Sequence, residues 1–360
     1  MSTYSRHISQ LIFASIFIFL RCSIPSEAQE KQKDTLSICI MGDMMMHTDQ
    51  ICKAQNGDSF NFSSYFKLIG DRVASADIAV ANMEFTLAGE PYSGYPCFSA
   101  PESYAEHIAD TGFDVFLAAN NHIFDKGSVG AQRTLEIYRK MEQDGKITFT
   151  GLAESPEDRA NRNPLIIKKK DFSIAFINFT YGTNAGYQTH WPKTTYLGER
   201  KFISEAMKKA EENADFTIVL PHWGQEYQLT HSQDQEDVAR WLVSLGADAI
   251  IGSHPHVVQD TSTIGHTPVA YSIGNAVSNM SASNTQIELM ATLKIIREEN
   301  GNCRLLPIEY TWLWCSRPGG YGTDYIVVPI EDQIDNKSQW YGQWEHDKMM
   351  AAYSRVKYKK

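Results

Sequence analysis

Five apolar runs in this chain end in residues that bind metal ions or move protons. Leu36 to Met41 leads to Asp43, Asp77 to Ala81 to Glu84, Val115 to Ala119 to Asn121 and His122, Phe216 to Leu220 to His222, and Ala249 to Ile251 to His254 and His256. Carboxylate, amide and imidazole side chains ligate hard and borderline divalent ions. A pair of such ions needs imidazoles and oxygens together, with one carboxylate able to bridge, and this set supplies the mixture. Singly, each residue has a plain structural use: Asp43 as a helix cap, Glu84 beside a surface lysine, Asn121 and His122 bonding their own turn. His222 alone is a satisfied core histidine, and His254-Pro255-His256 a turn. Five such residues at five strand ends point instead to one metal-dependent site.

The elements that must bring them together follow from periodicity. Short apolar runs bounded by polar residues suit buried strands of an α/β sheet, and the loops beyond their carboxyl ends are where such sheets bind ligands. Helical spacing occurs at Phe62, Tyr65, Phe66, Ile69 and Val73, and at Leu135, Tyr138 and Met141. It recurs at Ile203, Ala206, Met207 and Ala210, and at Val238, Trp241, Leu242 and Leu245. Gly145 and Gly246 close two of these helices. Residues 88–101, rich in Gly and Pro, form a loop leading into a short helix over Ser103 to Asp110. Ile147 to Thr150 is a further strand, and Leu165 to Lys168 pairs with Phe172 to Asn178. From Val269 the pattern changes: Val269 to Ile273, Ile287 to Ile296, Arg304 to Tyr310 and Tyr325 to Val328 read as strands with no helices between them. That predicts a second, more antiparallel sheet packed on the first. Residues 331–360 are charged and weakly patterned, and are expected to hold a terminal helix and a frayed end.

Composition narrows the class. With 360 residues and 42% hydrophobic content, the chain is long enough for a large buried core. A formal net charge of −10 argues against non-specific nucleic-acid binding, which needs a basic surface to displace counterions. The first residues read as an export signal: Arg6 and His7 precede the apolar run Leu11 to Leu20, and Ser26-Glu27-Ala28 offers small residues for cleavage before Gln29. The rival reading is a lipoprotein acylated at Cys22, to which Arg21 is a poor fit. The apolar run is shorter than the roughly 20 residues of a membrane span. The mature chain is therefore expected to lack a transmembrane segment and to be periplasmic or at the cell surface. Of six cysteines, Cys22 leaves with the signal and Cys39 falls in a core strand. Cys303 and Cys315 flank a predicted hairpin over Leu305 to Leu313, where an oxidising compartment would let them pair.

Six segments together carry a resemblance: Met41-Gly42-Asp43, Ala81-Asn82-Met83-Glu84, Ala119-Asn120-Asn121-His122, His222-Trp223-Gly224-Gln225-Glu226-Tyr227, Gly252-Ser253-His254-Pro255-His256-Val257 and Tyr271-Ser272-Ile273-Gly274-Asn275. In this order they resemble the CapA family of capsule synthesis proteins, named for poly-γ-glutamate capsule biosynthesis. The resemblance implies a metallo-dependent phosphatase-like α/β fold for residues 36–330, a four-layer α/β/β/α sandwich of two mixed sheets. A signal at 1–28 would precede it and an extension at 331–360 follow. It also implies two divalent metal ions, Mn, Zn or Fe: Asp43 and His256 on the first, Glu84 bridging, and Asn121, His222 and His254 on the second. His122 is then not a ligand but lies over the substrate as a general acid. The chain departs from the metallophosphatase pattern twice. Met45 stands where a histidine is usual, and Glu84 replaces an aspartate; His47 is the nearest substitute imidazole, for metal or for substrate.

Two function classes follow. The first is an exported, dimetal-dependent hydrolase or transferase of capsule or envelope polymer biosynthesis, acting on a phosphoester or an amide-linked polymer. Its expected partners are an anionic small molecule or polymer and capsule-assembly proteins, not nucleic acid. The alternative is a non-catalytic assembly subunit that binds polymer or partner proteins. The nearly full ligand set favours the first, and the acidic chain does not forbid an anionic substrate, because bound cations reverse the local potential.

Overall fold

The computed structural model describes residues 35–358, which fall within one compact unit. The expected export signal, its cleavage point after Ala28 and Cys22 lie outside the described residues. The described residues open with β1 (Thr35–Met44), buried throughout from Ile38 onward. It passes through α1 (Thr48–Ala54), a small hairpin of β2 (Gln55–Asn56) and β3 (Ser59–Phe60), and α2 (Gly70–Ala74) into β4 (Ile78–Met83). Then come α3 (Glu102–Asp110), β5 (Val115–Leu117), α4 (Gly127–Gln143) and β6 (Thr148–Thr150). The middle of the chain holds α5 (Pro156–Arg162), β7 (Leu165–Lys169), β8 (Phe172–Thr180), α6 (Arg200–Asn213), β9 (Phe216–His222), α7 (Gln233–Ser244) and β10 (Ala249–Ile251). The last part holds β11 (Thr261–Ile264), β12 (Thr267–Ala270), β13 (Ile287–Arg297), β14 (Cys303–Leu305), β15 (Glu309–Ser316), β16 (Ile326–Pro329) and α8 (Gln343–Lys357). Helix starts have local causes: the Ser155 hydroxyl accepts the Asp158 N–H ahead of Pro156, and Ser232 with Gln235 forms a capping box.

Two mixed sheets result. One has the order β16-β15-β13-β1-β4-β5-β6, with β14 also on β13; the other runs β11-β12-β10-β9-β8-β7. β1, β4, β5 and β6 are parallel, and β13 lies antiparallel against β1. In the other sheet β8, β9, β10 and β12 are parallel, flanked by antiparallel β7 and β11. Period-two alternation divides the strand residues between layers. Met41 and Ala81 pack with Tyr104 of α3 and Leu135 of α4, whereas Ile40 and Val80 meet Ile218 and Leu220 of the facing sheet. On the far side Val219 packs with Met207 of α6 and Leu242 of α7. The layers are therefore helix, sheet, sheet, helix, as the sequence led us to expect.

Several expectations are corrected. The late strands do not build a second sheet of their own: β13, β15 and β16 extend the sheet of β1, and β12 joins β10 in the other. Chain order does not decide membership, because β13 is eleven residues long and its apolar face completes β1 on the side β4 leaves open. Leu305 to Leu313 is not a hairpin of its own; the hairpin turn lies earlier, at residues 298–302 between β13 and β14. β14 and β15 both pair antiparallel with β13, Leu305 opposite Ile295 and Glu309 opposite Thr292, so they form one strand interrupted at residues 306–308. Cys303 and Cys315 consequently sit at opposite ends of β13, roughly 33 Å apart at about 3.3 Å per residue, and both are free thiols. Residues 63–69 make successive turns before α2, although Tyr65, Phe66 and Ile69 are buried as the helical spacing required. The weakly patterned end contains α8, whose Met349, Ala352, Tyr353 and Val356 join the apolar layer between the sheets.

Candidate metal centre

A one-residue bulge aims the first ligand. β1 and β4 pair in step from Ile38 opposite Ile78 to Met41 opposite Ala81; the register then shifts so that Asp43 stands beside Asn82, leaving Gly42 unmatched. In step, Asp43 would share the helix-facing side of Cys39 and Met41; the shift turns its carboxylate toward the other sheet. Gly42 is required here, because a Cβ would meet the Gly274 carbonyl oxygen at 2.0 Å. Its N–H donates to Glu288 Oε1 at 2.6 Å. From the opposite sheet, Phe216, Ile218 and Leu220 of β9 point inward, and His222 continues that series.

Loops bring the other donors. The Asn120 side chain donates to the Met83 carbonyl at 2.8 Å and accepts the His122 N–H at 3.1 Å. The Ala119 N–H donates to Asn178 Oδ1 of β8 at 2.8 Å, which ties this turn to both sheets. His254 and His256 have φ of 97° and 58°, a region that a β-carbon disfavours and that functional sites tolerate. The His254 N–H reaches Asp43 Oδ2 at 3.3 Å.

These placements converge on Glu84. Its Oε1 lies 3.6 Å from His222 Nε2, 3.8 Å from His256 Nε2 and 3.9 Å from His122 Nε2, all beyond hydrogen-bond length. One ligand atom each of Glu84, His254 and His256 fall within 4.8 Å of one another. Asp43 Oδ2 is 3.3 Å from His256 Nδ1, and His222 Nε2 is 2.7 Å from Asn121 Oδ1. Both Glu84 oxygens and His254 Nδ1 are buried with no hydrogen-bond partner. An orphaned buried polar group costs about 1–3 kcal/mol, so a set of them facing one another fits a bound cation. The structure thus brings together Asp43, Glu84, Asn121, His222, His254 and His256.

The electrostatics agree with that fit. Burial, reinforced by Asp43, Glu226 and Asp125, pushes the Glu84 carboxyl well above the usual carboxylate range. Burial also holds His222 down to about 3 and His254 well below its ordinary value, leaving neutral rings with a lone pair to give. For His256 burial opposes charge, but the hydrogen bond and charge of Asp43 raise it overall. Asp43 is lowered despite burial, through His256, His222 and Asn82. A divalent ion would supply the counter-charge that Glu84 lacks.

His122 stands apart from the ligands in one respect: its Nδ1 bonds Asp125 Oδ2 at 2.7 Å, which turns Nε2 toward Glu84. Asn184 Nδ2 also approaches Nδ1 of this ring, at 3.3 Å. His47 lies one layer out. Its ring packs edge-on against Phe98, which in turn packs on His122, and its Nδ1 contacts the Asn279 N–H and Gln50. Burial lowers His47 to about 4, and Met45 is buried among the apolar residues on the helix side. Sequence reading missed Asn82, which donates to Asp43 Oδ1 at 2.7 Å, and Asn275, whose Oδ1 is 2.9 Å from His256 Nδ1. It also missed Asp125, although the His122-x-x-Asp125 spacing within one turn was there to be read.

Comparison with known proteins places these features. A family model described as bacterial capsule synthesis protein PGA_cap matches residues 37–280, the span that holds all six motifs. A Bacillus anthracis relative described as capsule biosynthesis protein CapA is 26% identical over 292 residues, covering 78% of this chain and 68% of the relative. A Bacillus subtilis relative described as PGA biosynthesis protein CapA is 25% identical over 309 residues, covering 83% and 78%. Among solved structures, a Staphylococcus aureus chain assigned as a 5'-nucleotidase superposes with a TM-score of 0.51 at 12% identity, over 77% of this chain. This chain spans 54% of that one, and the likeness concerns the fold alone.

Proposed function

Because the chain belongs to the bacterial capsule synthesis protein family, we propose that it is an exported, metal-dependent hydrolase or transferase of capsule or envelope polymer. The reaction would cleave or transfer a phosphoester or an amide linkage of that polymer. The observation that carries the reading is the Glu84 carboxylate, buried and unpartnered among three imidazole Nε2 atoms at 3.6–3.9 Å. In this reading Asp43, Glu84, Asn121, His222, His254 and His256 would hold the divalent ions, and Mn, Zn and Fe suit such donors. When bound, the ions supply Lewis acidity toward the linkage and make water nucleophilic at neutral pH.

The chain's own residues do the rest. Asp125 accepts from Nδ1 of His122 and so fixes the ring, leaving Nε2 to hold the proton that passes to the leaving atom. Asn82 and Asn275 orient Asp43 and His256. The buried walls exclude water from around the donors. Residues 35–358 contain no helix long and apolar enough to cross a membrane; the partners in this reading are polymer and assembly proteins. The assembly-subunit alternative draws on Met45, a buried thioether where an imidazole would complete the ligand set.

The test is turnover by metal-loaded protein on generic phosphodiesters and γ-glutamyl amides, alongside capsule output in cells. Metal-dependent release from either substrate class supports the reading. Metal binding without turnover, with capsule output unaffected by His122→Asn, favours the assembly subunit.

A further inference from the structure

Two successive backbone N–H groups of β1 point the same way. In a regular strand they alternate between the neighbours on either side, yet the Gly42 N–H donates to Glu288 Oε1 of β13 at 2.6 Å and the Asp43 N–H to the Gly274 carbonyl at 3.2 Å. Both acceptors lie on the β13 side, since Gly274 forms a bridge with Glu288. That pattern belongs to a bulge, and the bulge is what turns the Asp43 carboxylate toward the other metal donors.

The ladder of β13 has left Gly42 by this point. Pairing of β1 with β13 ends at Ile40 opposite Ala291. Beyond it, residues 273 and 274 take the place of β1 against β13: the Leu289 N–H donates to the Ile273 carbonyl at 2.8 Å. Gly274 is wedged tightly there, because a Cβ on it would meet the Ile287 carbonyl oxygen at 2.4 Å. The Gly42 N–H therefore depends on a side chain, and Glu288 supplies the acceptor.

Glu288 occupies an apolar place. By alternation it shares the face of Met290, which packs in the helix-side layer with Cys39 and Cys315. It thus lies behind the sheet, on the face opposite to the metal donors. The residue is buried, and its Oε2 has no hydrogen-bond partner. Burial pushes its carboxyl well above the usual range, against the Gly42 hydrogen bond and with Asp43 adding. An apolar side chain would be cheaper to bury here, so the bond to Gly42 is the use that the structure makes of this carboxyl.

We propose that Glu288 is a positioning residue of the metal centre: from behind the sheet it accepts the Gly42 N–H, secures the bulge and so fixes the side of β1 on which the Asp43 carboxylate stands. The inference rests on the metal-dependent reading and adds to it a residue that touches neither ion nor substrate. Without the acceptor, the Gly42 N–H is buried and unpaired. Straightening β1 would relieve it, and would carry Asp43 round to the helix-facing side.

Titration calorimetry of the chelator-stripped full chain with Mn²⁺ and with Zn²⁺ tests it, with Tm read on the same samples. Glu288→Gln keeps an oxygen to accept the N–H and should bind ions within about twofold of wild type. Glu288→Leu keeps the bulk without the acceptor and should bind them at least about tenfold more weakly, the usual cost of losing an outer partner of a ligand. If Glu288→Leu does not fold, Glu288→Asp, which draws the carboxyl back by one methylene, carries the same expectation. Ile203→Ala opens a cavity in the outer helix layer of the other sheet; it should lower Tm yet leave ion affinity within about twofold. Wild-type affinity in the variant lacking the acceptor, equal weakening in Glu288→Gln, or equal weakening in Ile203→Ala would each overturn the proposal while leaving the metal centre in place. A wild type that takes up no ion overturns the metal reading itself, and this inference with it.

Discussion

His222 Nε2 lies 2.7 Å from Asn121 Oδ1, although Asn121 follows β5 of one sheet and His222 ends β9 of the other. The centre is thus built across the seam of the sandwich, and an ion held there would cross-link the two sheets. Ligand that binds only the folded state stabilises it, by about 2.7 kcal/mol at a concentration 100 times Kd. Adding Mn²⁺ or Zn²⁺ to chelator-stripped protein should therefore raise Tm by several degrees. Glu84→Gln, with the shape kept and the bridging charge gone, should show little of that rise; an equal rise in the variant would place the ion elsewhere.

The bulge at Gly42 predicts a local intolerance. Gly42→Ala drives a Cβ into the Gly274 carbonyl oxygen, and both are backbone positions with no side chain free to move aside. The expected cost is about 3 kcal/mol, at the upper end for overpacking, read from urea unfolding. A loss below about 1 kcal/mol would mean that β1 is not held against residue 274 as described.

Away from the site, Asp248 gives a pH signature. Burial, with Glu211 adding and the Thr217 N–H hydrogen bond opposing, pushes its carboxyl up to about 6. An acid raised on folding favours the folded state while protonated, so its contribution is full below its unfolded value near 4 and is lost as pH rises through 6. Asp248 is half-buried, and solvent screening brings the effect to on the order of 1 kcal/mol. Asp248→Asn should match wild type in Tm near pH 4 and exceed it by a few degrees at pH 7. Parallel curves across that range would remove Asp248 as the cause.

For His122 the account separates chemistry from metal binding. His122→Asn should keep metal content and Tm near wild type while turnover falls by about 100-fold or more, the usual worth of a general acid. Asp43→Ala should lose metal and turnover together. Loss of metal in His122→Asn would make the residue a ligand.

Much of the site was legible in the sequence because strand ends are legible: an apolar run that stops at His222 or Asp43 announces both the strand and the residue it delivers. What could not be read was which side of the strand each residue takes. Parity alone assigns Asp43 to the helix-facing side with Met41, and only the shift at Gly42, set by contact with residue 274, reverses it. Sheet membership was hidden for a related reason. The pairing of Ile38 with Leu293 joins residues more than 250 positions apart, and nothing in the spacing of either strand names the other. The pairs Asn82–Asp43 and Asn275–His256 depend on the same long-range register. The C-terminal helix was expected from the sequence; what charge obscured was its buried face, Met349, Ala352, Tyr353 and Val356 at helical spacing.

The central claim is that six buried side chains from both sheets form one metal centre. Elemental analysis of protein purified without chelator, compared with a His222→Ala, His254→Ala double variant, tests it most directly. The account predicts about two divalent ions per wild-type chain, the number a bridged centre holds, and well under one in the double variant. Wild type and double variant with equally little metal would contradict it.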